Sequence, residues 1–565
     1  MKNKTFKNLL CMGLLLTLCC ATATSVYAKE SDYTPEDAVE ALVVDYDRDD
    51  AAGGTILVKR GNEVIYSRGF GMANLEYGVP FTEDTPTNIG STSKQFTAFA
   101  ILLLEEEGKL SLEDDIRKYV PELPVFEDTV RLRHLIAHTS GYREFINTLA
   151  MGGWRLGDHV AREEVLTVLQ RQPELQNTPG EVFNYNNSGY ALLSMVVEHI
   201  TETPFPEWMQ THVFQPLGME HTLVIERPGQ IIPDRAFGYH KGEADQLIGV
   251  MDLHASMGAG GIYSTVSDLS RWAANFYDPV IGGEAMMARM QEEFLLNSGT
   301  ASTYAFGLMI TDMHGQQVIH HPGGDMAHRS YFMLFPDIEG LVTVQSNYAG
   351  FPGQVAEKVA EAFFHDVMDI EAPSLEEQED LYLFDPEKFD EIAGRYELEA
   401  MPGFVMEFTR EGDTLYTQAT GQPRFEIHAS SDSTFYMTVV DARMTFHRDE
   451  DGEVHAMTLH QNGDHYAKRI TEPLWEPGAE DLAMYTGRFF SDELEAFYTI
   501  VADDEGKLTM QHRRLDDIPL KAESKDNYTG SFPIMSLQFI RDDNDQVTGF
   551  DASSGRAAGI FFEKQ

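Results

Sequence analysis

Cysteine is nearly missing from this chain. All three cysteines (Cys11, Cys19, Cys20) fall within the first twenty residues, so the remainder has no disulfide, no cysteine-based zinc site and no cysteine nucleophile. Positive charge is scarce as well: 42 Lys and Arg stand against 91 Asp and Glu, a formal net charge of −49. Such a surface repels a nucleic-acid polyanion instead of holding it through counterion release, so no nucleic-acid partner is expected.

Three catalytic signatures are absent. The residue two after Ser91 is Ser93, not the glycine of a Gly-x-Ser-x-Gly elbow, which excludes an α/β-hydrolase site there. His134 and His138 have the spacing of one helix face, but the glutamate of a His-Glu-x-x-His zinc site is not between them and no third ligand is evident; structural histidines are expected. Gly258-Ala-Gly260-Gly261 has no Gly-Lys-Ser/Thr ending, so it reads as a tight turn and not a phosphate loop. No metal and no organic cofactor is expected.

The chain opens with Lys2, Lys4 and Lys7, an apolar run from Leu9 to Leu18, and Ser25-Val26-Tyr27-Ala28. The run is short for a bilayer span, and the order matches a signal peptide cut after Ala28 (residues 1–28). The expected product is exported, periplasmic or secreted in a bacterium, without stable membrane insertion. Leu18 and Cys19, the residues before Cys19 and Cys20, are not the small ones a lipid-anchor site needs.

With 565 residues and 42% hydrophobic content, two to four packed domains are expected. Gly54–Arg60 and Glu63–Ser67 flank Gly61-Asn62, a hairpin pattern. Helical and loop patterns dominate from Ser91 to Val280, strands return at Gln317–His321, Arg329–Phe335 and Leu341–Ser346, and an amphipathic helix follows from Gln354 to Met368. This order predicts an α/β domain over 29–372: an antiparallel sheet built from both ends, with helices and an all-helical insertion. The acidic stretch from Asp369 to Glu379, with Pro373, suits a linker.

Beyond it the texture is all-β and repeated. Gly394-Arg-Tyr396 recurs as Gly487-Arg-Phe489, Leu415 as Leu508, Phe435 as Tyr528 and Phe446 as Phe539, each 93 residues later. A constant offset implies two copies of one module, 380–473 and 474–565, each long enough to be a small barrel.

Ser91 and Lys94 lie three apart at the start of the apolar helix Phe96–Leu104, so their side chains share a face. A lysine against so apolar a helix loses hydration, which lowers its pKa and makes it a usable base, while helix N-terminal amides favour negative charge at Ser91. Tyr185 and Asn187 lie two apart in a polar, Gly-flanked turn before the helix Tyr190–Ile200. A phenol relays protons, and an amide holds a lysine and a substrate amide together. His320-His321-Pro322-Gly323-Gly324 closes a strand. Pro322 suggests an edge strand open to substrate, and the Gly324 amide would pair with that of Ser91 as an oxyanion hole.

The order Ser-x-x-Lys, Tyr-x-Asn, His-x-Gly resembles the serine β-lactamase and penicillin-binding-protein family, specifically the class C branch with its DD-peptidases, D-aminopeptidases and esterases. Arg133-His-Leu-Ile-Ala-His-Thr-Ser-Gly141, Pro216-Leu-Gly-Met219 and Gly260-Gly-Ile-Tyr-Ser-Thr265 with Asp268 fit as well, so the resemblance spans about residues 35–370. It implies that Ser91 forms an acyl-enzyme, that Lys94 and Tyr185 share the general-base role, and that Asn187, His321, Gly323 and Gly324 bind substrate. His321 stands where many β-lactamases carry the lysine of Lys-Thr-Gly, and a neutral histidine grips a substrate carboxylate less firmly. The implied activity is hydrolysis of an amide, including peptides with D-residues, or of a small ester. The alternatives are a β-lactamase or DD-carboxypeptidase, and a non-catalytic cell-wall or ligand sensor on the same fold. The partner implied is a small molecule or short peptide; oligomeric state is left open.

Overall fold

The computed structural model describes residues 34–565 except 156, 243–245, 252–255, 371–383, 400–403, 421–423, 438–441, 450, 462–463, 472–474, 476 and 504. The expected signal peptide and most of the expected linker lie outside the described residues. Among those described, no helix is long and apolar enough to cross a membrane.

The first domain is organised by a six-stranded antiparallel sheet of β1 (Gly54–Arg60), β2 (Glu63–Phe70), β3 (Met309–Met313), β4 (Gln316–Gly324), β5 (Arg329–Phe335) and β6 (Gly340–Ser346), in the order β3-β4-β5-β6-β1-β2. Both ends of the domain therefore contribute, joined where β1 pairs with β6 from Gly54↔Ser346 to Arg60↔Gly340. Both faces of the sheet are buried, and alternation decides which core each residue joins. Ile56, Val58, Met333, Val342 and Val344 pack against α1 (Pro35–Val43) and α4 (Gln354–Phe364). Leu57, Ile319, Phe332, Leu334 and Leu341 face the large helical core.

At the centre of that helical core runs α2 (Lys94–Glu106), and α3 (Asn187–Thr201) packs beside it. Ten residues of α2 are buried, Lys94 and Gln95 among them, so this is a helix enclosed on all sides and not an amphipathic surface helix. Gln95 is satisfied by accepting from Trp272 Nε1 at 2.6 Å. The lysine is enclosed because the helix is.

The remaining domains are two closed eight-stranded barrels, spanning Gly394–Ile470 and Gly487–Lys564. The repeated residues fill equivalent interior places: Tyr396 and Phe489, Leu415 and Leu508, Phe435 and Tyr528, Phe446 and Phe539 are all buried. Gly394 and Gly487 both sit at positive φ, 149° and 139°, which accounts for the glycine at the start of each copy.

The second barrel docks on the helical insertion. Met151 joins its core, Tyr498 Oη donates to the Met151 carbonyl at 2.9 Å, and Arg143 Nε donates to Glu493 at 2.6 Å with both side chains almost fully buried. The first barrel is tied to the second by Arg395 to Glu523 and by Lys521 to Glu407.

Candidate active site

Ser91 lies on a 3-10 turn, Gly90–Ser93, that runs directly into α2. A 3-10 turn eclipses residues three apart, so Ser91 and Lys94 share a face although they belong to different elements. The turn is fastened to the sheet: Thr92 Oγ1 donates to the His321 carbonyl at 3.1 Å, and Ser330 Oγ donates to the Ile89 carbonyl at 2.7 Å. Gly90 has φ 49°, and a Cβ there would overlap the Gly324 backbone. A Cβ on Gly323 would likewise overlap the Ile89 carbonyl. These two glycines let the Ser91 turn and the end of β4 approach closely.

Lys94 is fully buried and its amine has three neighbours: Ser91 Oγ at 3.1 Å, Asn187 Oδ1 at 2.7 Å and the Ala259 carbonyl at 2.8 Å. Burial pushes its pKa well below the ordinary 10.5, with the Arg556 charge lowering it further and Glu144 opposing. A neutral amine has two protons and one lone pair. The Ala259 carbonyl and Asn187 Oδ1 only accept, so they take the two protons, and the lone pair is left for the one neighbour that is also a donor, the Ser91 hydroxyl.

Glu144 fixes which way Asn187 points. Its fully buried carboxylate accepts from Asn187 Nδ2 at 2.8 Å and from the Asn147 amide at 2.9 Å. Because a carboxylate only accepts, this assigns the amide nitrogen to Glu144 and the oxygen to Lys94. One amide hydrogen of Asn187 remains for a substrate.

The Tyr185 ring lies 4.8 Å from Lys94 Nζ and 4.3 Å from the His138 ring. Its buried hydroxyl makes no hydrogen bond of good geometry among the described residues, its one polar interaction being with Ser91. Burial raises its pKa, only partly countered by Ser91. Tyr185 is therefore a phenol at neutral pH and suits proton donation.

His321 is brought beside the site but is engaged within the protein. Its Nδ1 lies 2.6 Å from the Pro322 carbonyl and its Nε2 lies 3.1 Å from Tyr304 Oη. The first contact assigns the proton to Nδ1, so Nε2 accepts from the tyrosine. Burial holds its pKa at about 3. The ring is neutral with both nitrogens engaged within the protein, and it anchors Tyr304 at the site wall. β4 is interior where it pairs with β3, up to His320↔Met309; from His321 to Gly324 it pairs on one side only, with β5, so the edge expected at Pro322 is local to the end of the strand.

Four residues enter that sequence reasoning did not place here: Glu144, the Ala259 carbonyl, His138 and Arg556. The helix carrying His134 ends at Ile136, and His138 follows at φ 57°, so the two histidines do not share a helix face. His138 Nδ1 accepts from the Asn186 amide at 3.0 Å, and burial holds the ring neutral. Arg556 comes from the second barrel, at the tip of the hairpin joining β7 (Val547–Ser554) to β8 (Ala557–Lys564). Its Cζ lies 5.1 Å from the Tyr185 ring centroid. Among the described residues no group of three or more acidic, His or Cys side chains is placed to hold a metal.

A profile of the family described as Beta-lactamase matches residues 38–364. The chain belongs to this family. The family match covers the sheet domain and every residue of the Ser91 cluster except Arg556. A domain of unknown function (DUF3471) matches 384–475, the first barrel. Penicillin-binding protein 4* of Bacillus subtilis (strain 168) is 25% identical over 73% of this chain and 93% of its own length. A D-aminopeptidase of Gluconobacter oxydans (strain 621H) is 27% identical over 55% of this chain and 58% of its own. Among solved structures, an octameric penicillin-binding protein homologue from Pyrococcus abyssi superposes with a TM-score of 0.55 at 22% identity, covering 77% of this chain and 99% of that one. The chain stands among the serine hydrolases of the penicillin-binding-protein and β-lactamase type.

Proposed function

We propose that this protein is an exported serine hydrolase of the class C branch, acting on amide bonds, short peptides included, or on small esters through an acyl-enzyme at Ser91. The observation that carries it is the buried Lys94 amine, whose two fixed acceptors leave its lone pair for the Ser91 hydroxyl.

As Ser91 Oγ attacks the substrate carbonyl, its proton passes to Lys94. The oxyanion that forms is held by the Ser91 and Gly324 amides, each such donor being worth about 3 kcal/mol. When the carbon–nitrogen or carbon–oxygen bond breaks, the leaving group takes a proton from Tyr185, which Lys94 replenishes. Water then attacks the acyl-enzyme with Lys94 again as base. Asn187 holds the lysine and offers its remaining amide hydrogen to the substrate. The neutral, internally bonded His321 favours this chemistry over a dedicated β-lactamase, and the likeness to a D-aminopeptidase supports an amide substrate. The basic, apolar and small-residue segments of residues 1–28 support export.

A fluorophosphonate probe located by mass spectrometry tests the nucleophile; label on Ser91, lost in Ser91→Ala, is expected. Hydrolysis of D-amino acid amides, short peptides, p-nitrophenyl esters and nitrocefin then ranks the substrate classes. A Ser91→Ala protein that still hydrolysed an activated ester at the wild-type rate would overturn the proposal.

A further inference from the structure

The hairpin tip bearing Arg556 is built into the cleft. The Arg556 carbonyl accepts from Gln176 Nε2 at 3.3 Å and from Asn184 Nδ2 at 3.2 Å, the second from the residue just before Tyr185. Gln176 Oε1 in turn accepts from the Ala558 amide at 3.3 Å. Arg143 donates to the carbonyls of Ala558 and Gly559, just past the tip, and pairs with Glu493 in another turn of the same barrel. Gly555 sits at φ 53°, where a Cβ would press on the Asn147 side chain. The backbone of the tip is thus fixed on both sides of Arg556, while its side chain is left to the cleft.

That side chain is half-buried, and among the described residues no carboxylate pairs with it. In a chain with 91 acidic residues against 42 basic ones, a partly dehydrated arginine without an acidic partner is unusual, since opposite charges are available everywhere. The one carboxylate at the floor of the site, Glu144, is occupied by Asn187 and Asn147. His138 and His321 are neutral, and Lys94 is held toward its neutral form. Arg556 therefore brings a fixed positive charge beside Lys94 and Tyr185, in a site whose His321 supplies none.

We propose that Arg556 is a specificity-determining residue that binds a carboxylate of the substrate, close to the bond that Ser91 cleaves. A guanidinium is suited to this, because its planar fork matches a carboxylate with two parallel hydrogen bonds. The same charge disfavours substrates with a free ammonium group at that position, so the preferred amide or ester is anionic. The inference rests on the serine mechanism proposed above and narrows its substrate class.

The test uses two pairs of substrates and the full-length protein. One pair is p-nitrophenyl hydrogen glutarate and p-nitrophenyl pentanoate; the other is N-acetyl-D-alanyl-D-alanine and its C-terminal amide. Wild type, Arg556→Met and Arg556→Lys are each measured at the plateau of their own pH profile. In at least one pair the wild type should favour the anionic member. Arg556→Met should lower that preference, as a ratio of kcat/KM, by about ten- to a hundredfold, the usual range for losing one charge-assisted hydrogen bond. Arg556→Lys should keep part of it, and added salt should erode it in wild type but not in Arg556→Met. A ratio unchanged by Arg556→Met in both pairs, or equal losses on anionic and neutral members, overturns the inference. If Ser91 takes the fluorophosphonate label and turnover does not depend on Arg556, this inference falls alone; if Ser91 is not labelled and nothing is hydrolysed, both proposals fall.

Discussion

Arg556 and Lys94 lie over the ring of the same tyrosine, 5.1 Å and 4.8 Å from the Tyr185 centroid. One comes from the last hairpin of the second barrel and the other from the first turn of the central helix. Their mutual repulsion lowers the pKa of the amine, so a distant domain tunes the base.

The acid limb of the kcat/KM profile should report this coupling. Activity should rise as pH rises through the Lys94 pKa, since only the free amine accepts the Ser91 proton. Removing the positive charge in Arg556→Met should raise that pKa and move the limb to higher pH; Glu144→Gln, which removes an opposing negative charge, should move it lower. The pH profiles of both variants on a neutral ester check the signs.

Ser91→Ala and Lys94→Ala should each abolish most catalysis, and the double variant should be no worse than either alone, because the pair works as a unit. Losses of about 10⁴ to 10⁶ in kcat are the range for such sites. Independent, multiplying losses would show that Lys94 acts elsewhere.

Acid should destabilise the protein through its buried histidines. Burial holds His134 and His320 at about 4 and His321 at about 3, below the ordinary 6.5. The unfolded chain then binds more protons than the folded one, so stability is full above 6.5 and is lost as pH falls toward those values. Each such histidine contributes a slope of up to about 1.4 kcal/mol per pH unit. Urea midpoints between pH 7 and pH 4 measure it, and a flat profile would contradict the neutral assignment.

Arg143→Ala should leave Glu493 buried without its partner, at a cost of about 3–5 kcal/mol. The second barrel should loosen, seen as earlier protease cutting between the barrel and the sheet domain. It should also lower the anionic preference, and adding Arg556→Met should lower it little further.

Much of the site was legible because it is local. Ser91 and Lys94 are one turn apart, Tyr185 and Asn187 are two residues apart, and β4 ends in the glycines that permit close approach. The repeat was legible because the barrels bury the same positions at one offset. Glu144, Ala259, His138 and Arg556 carried no such mark. Their neighbours in sequence are ordinary turns, and their roles exist only once helices, sheet and barrel have packed together. The interior place of the first part of β4, before Pro322, was not legible, because it depends on β3, whose Met-Ile-Thr-Asp-Met run carries only a modest strand pattern.

The glycine-tipped hairpin that carries Arg556 gives selectivity a structural element of its own. The nucleophile, base and oxyanion donors belong to the sheet and helices, whereas the charge that meets the substrate hangs from a turn anchored through its own backbone carbonyls and amides. Because those anchors do not involve the arginine side chain, position 556 is free to vary without disturbing them. A descendant of this protein, or an engineer, could recode which molecules enter by exchanging that single side chain, keeping the nucleophile and base in place and shifting only the pH at which the base is free.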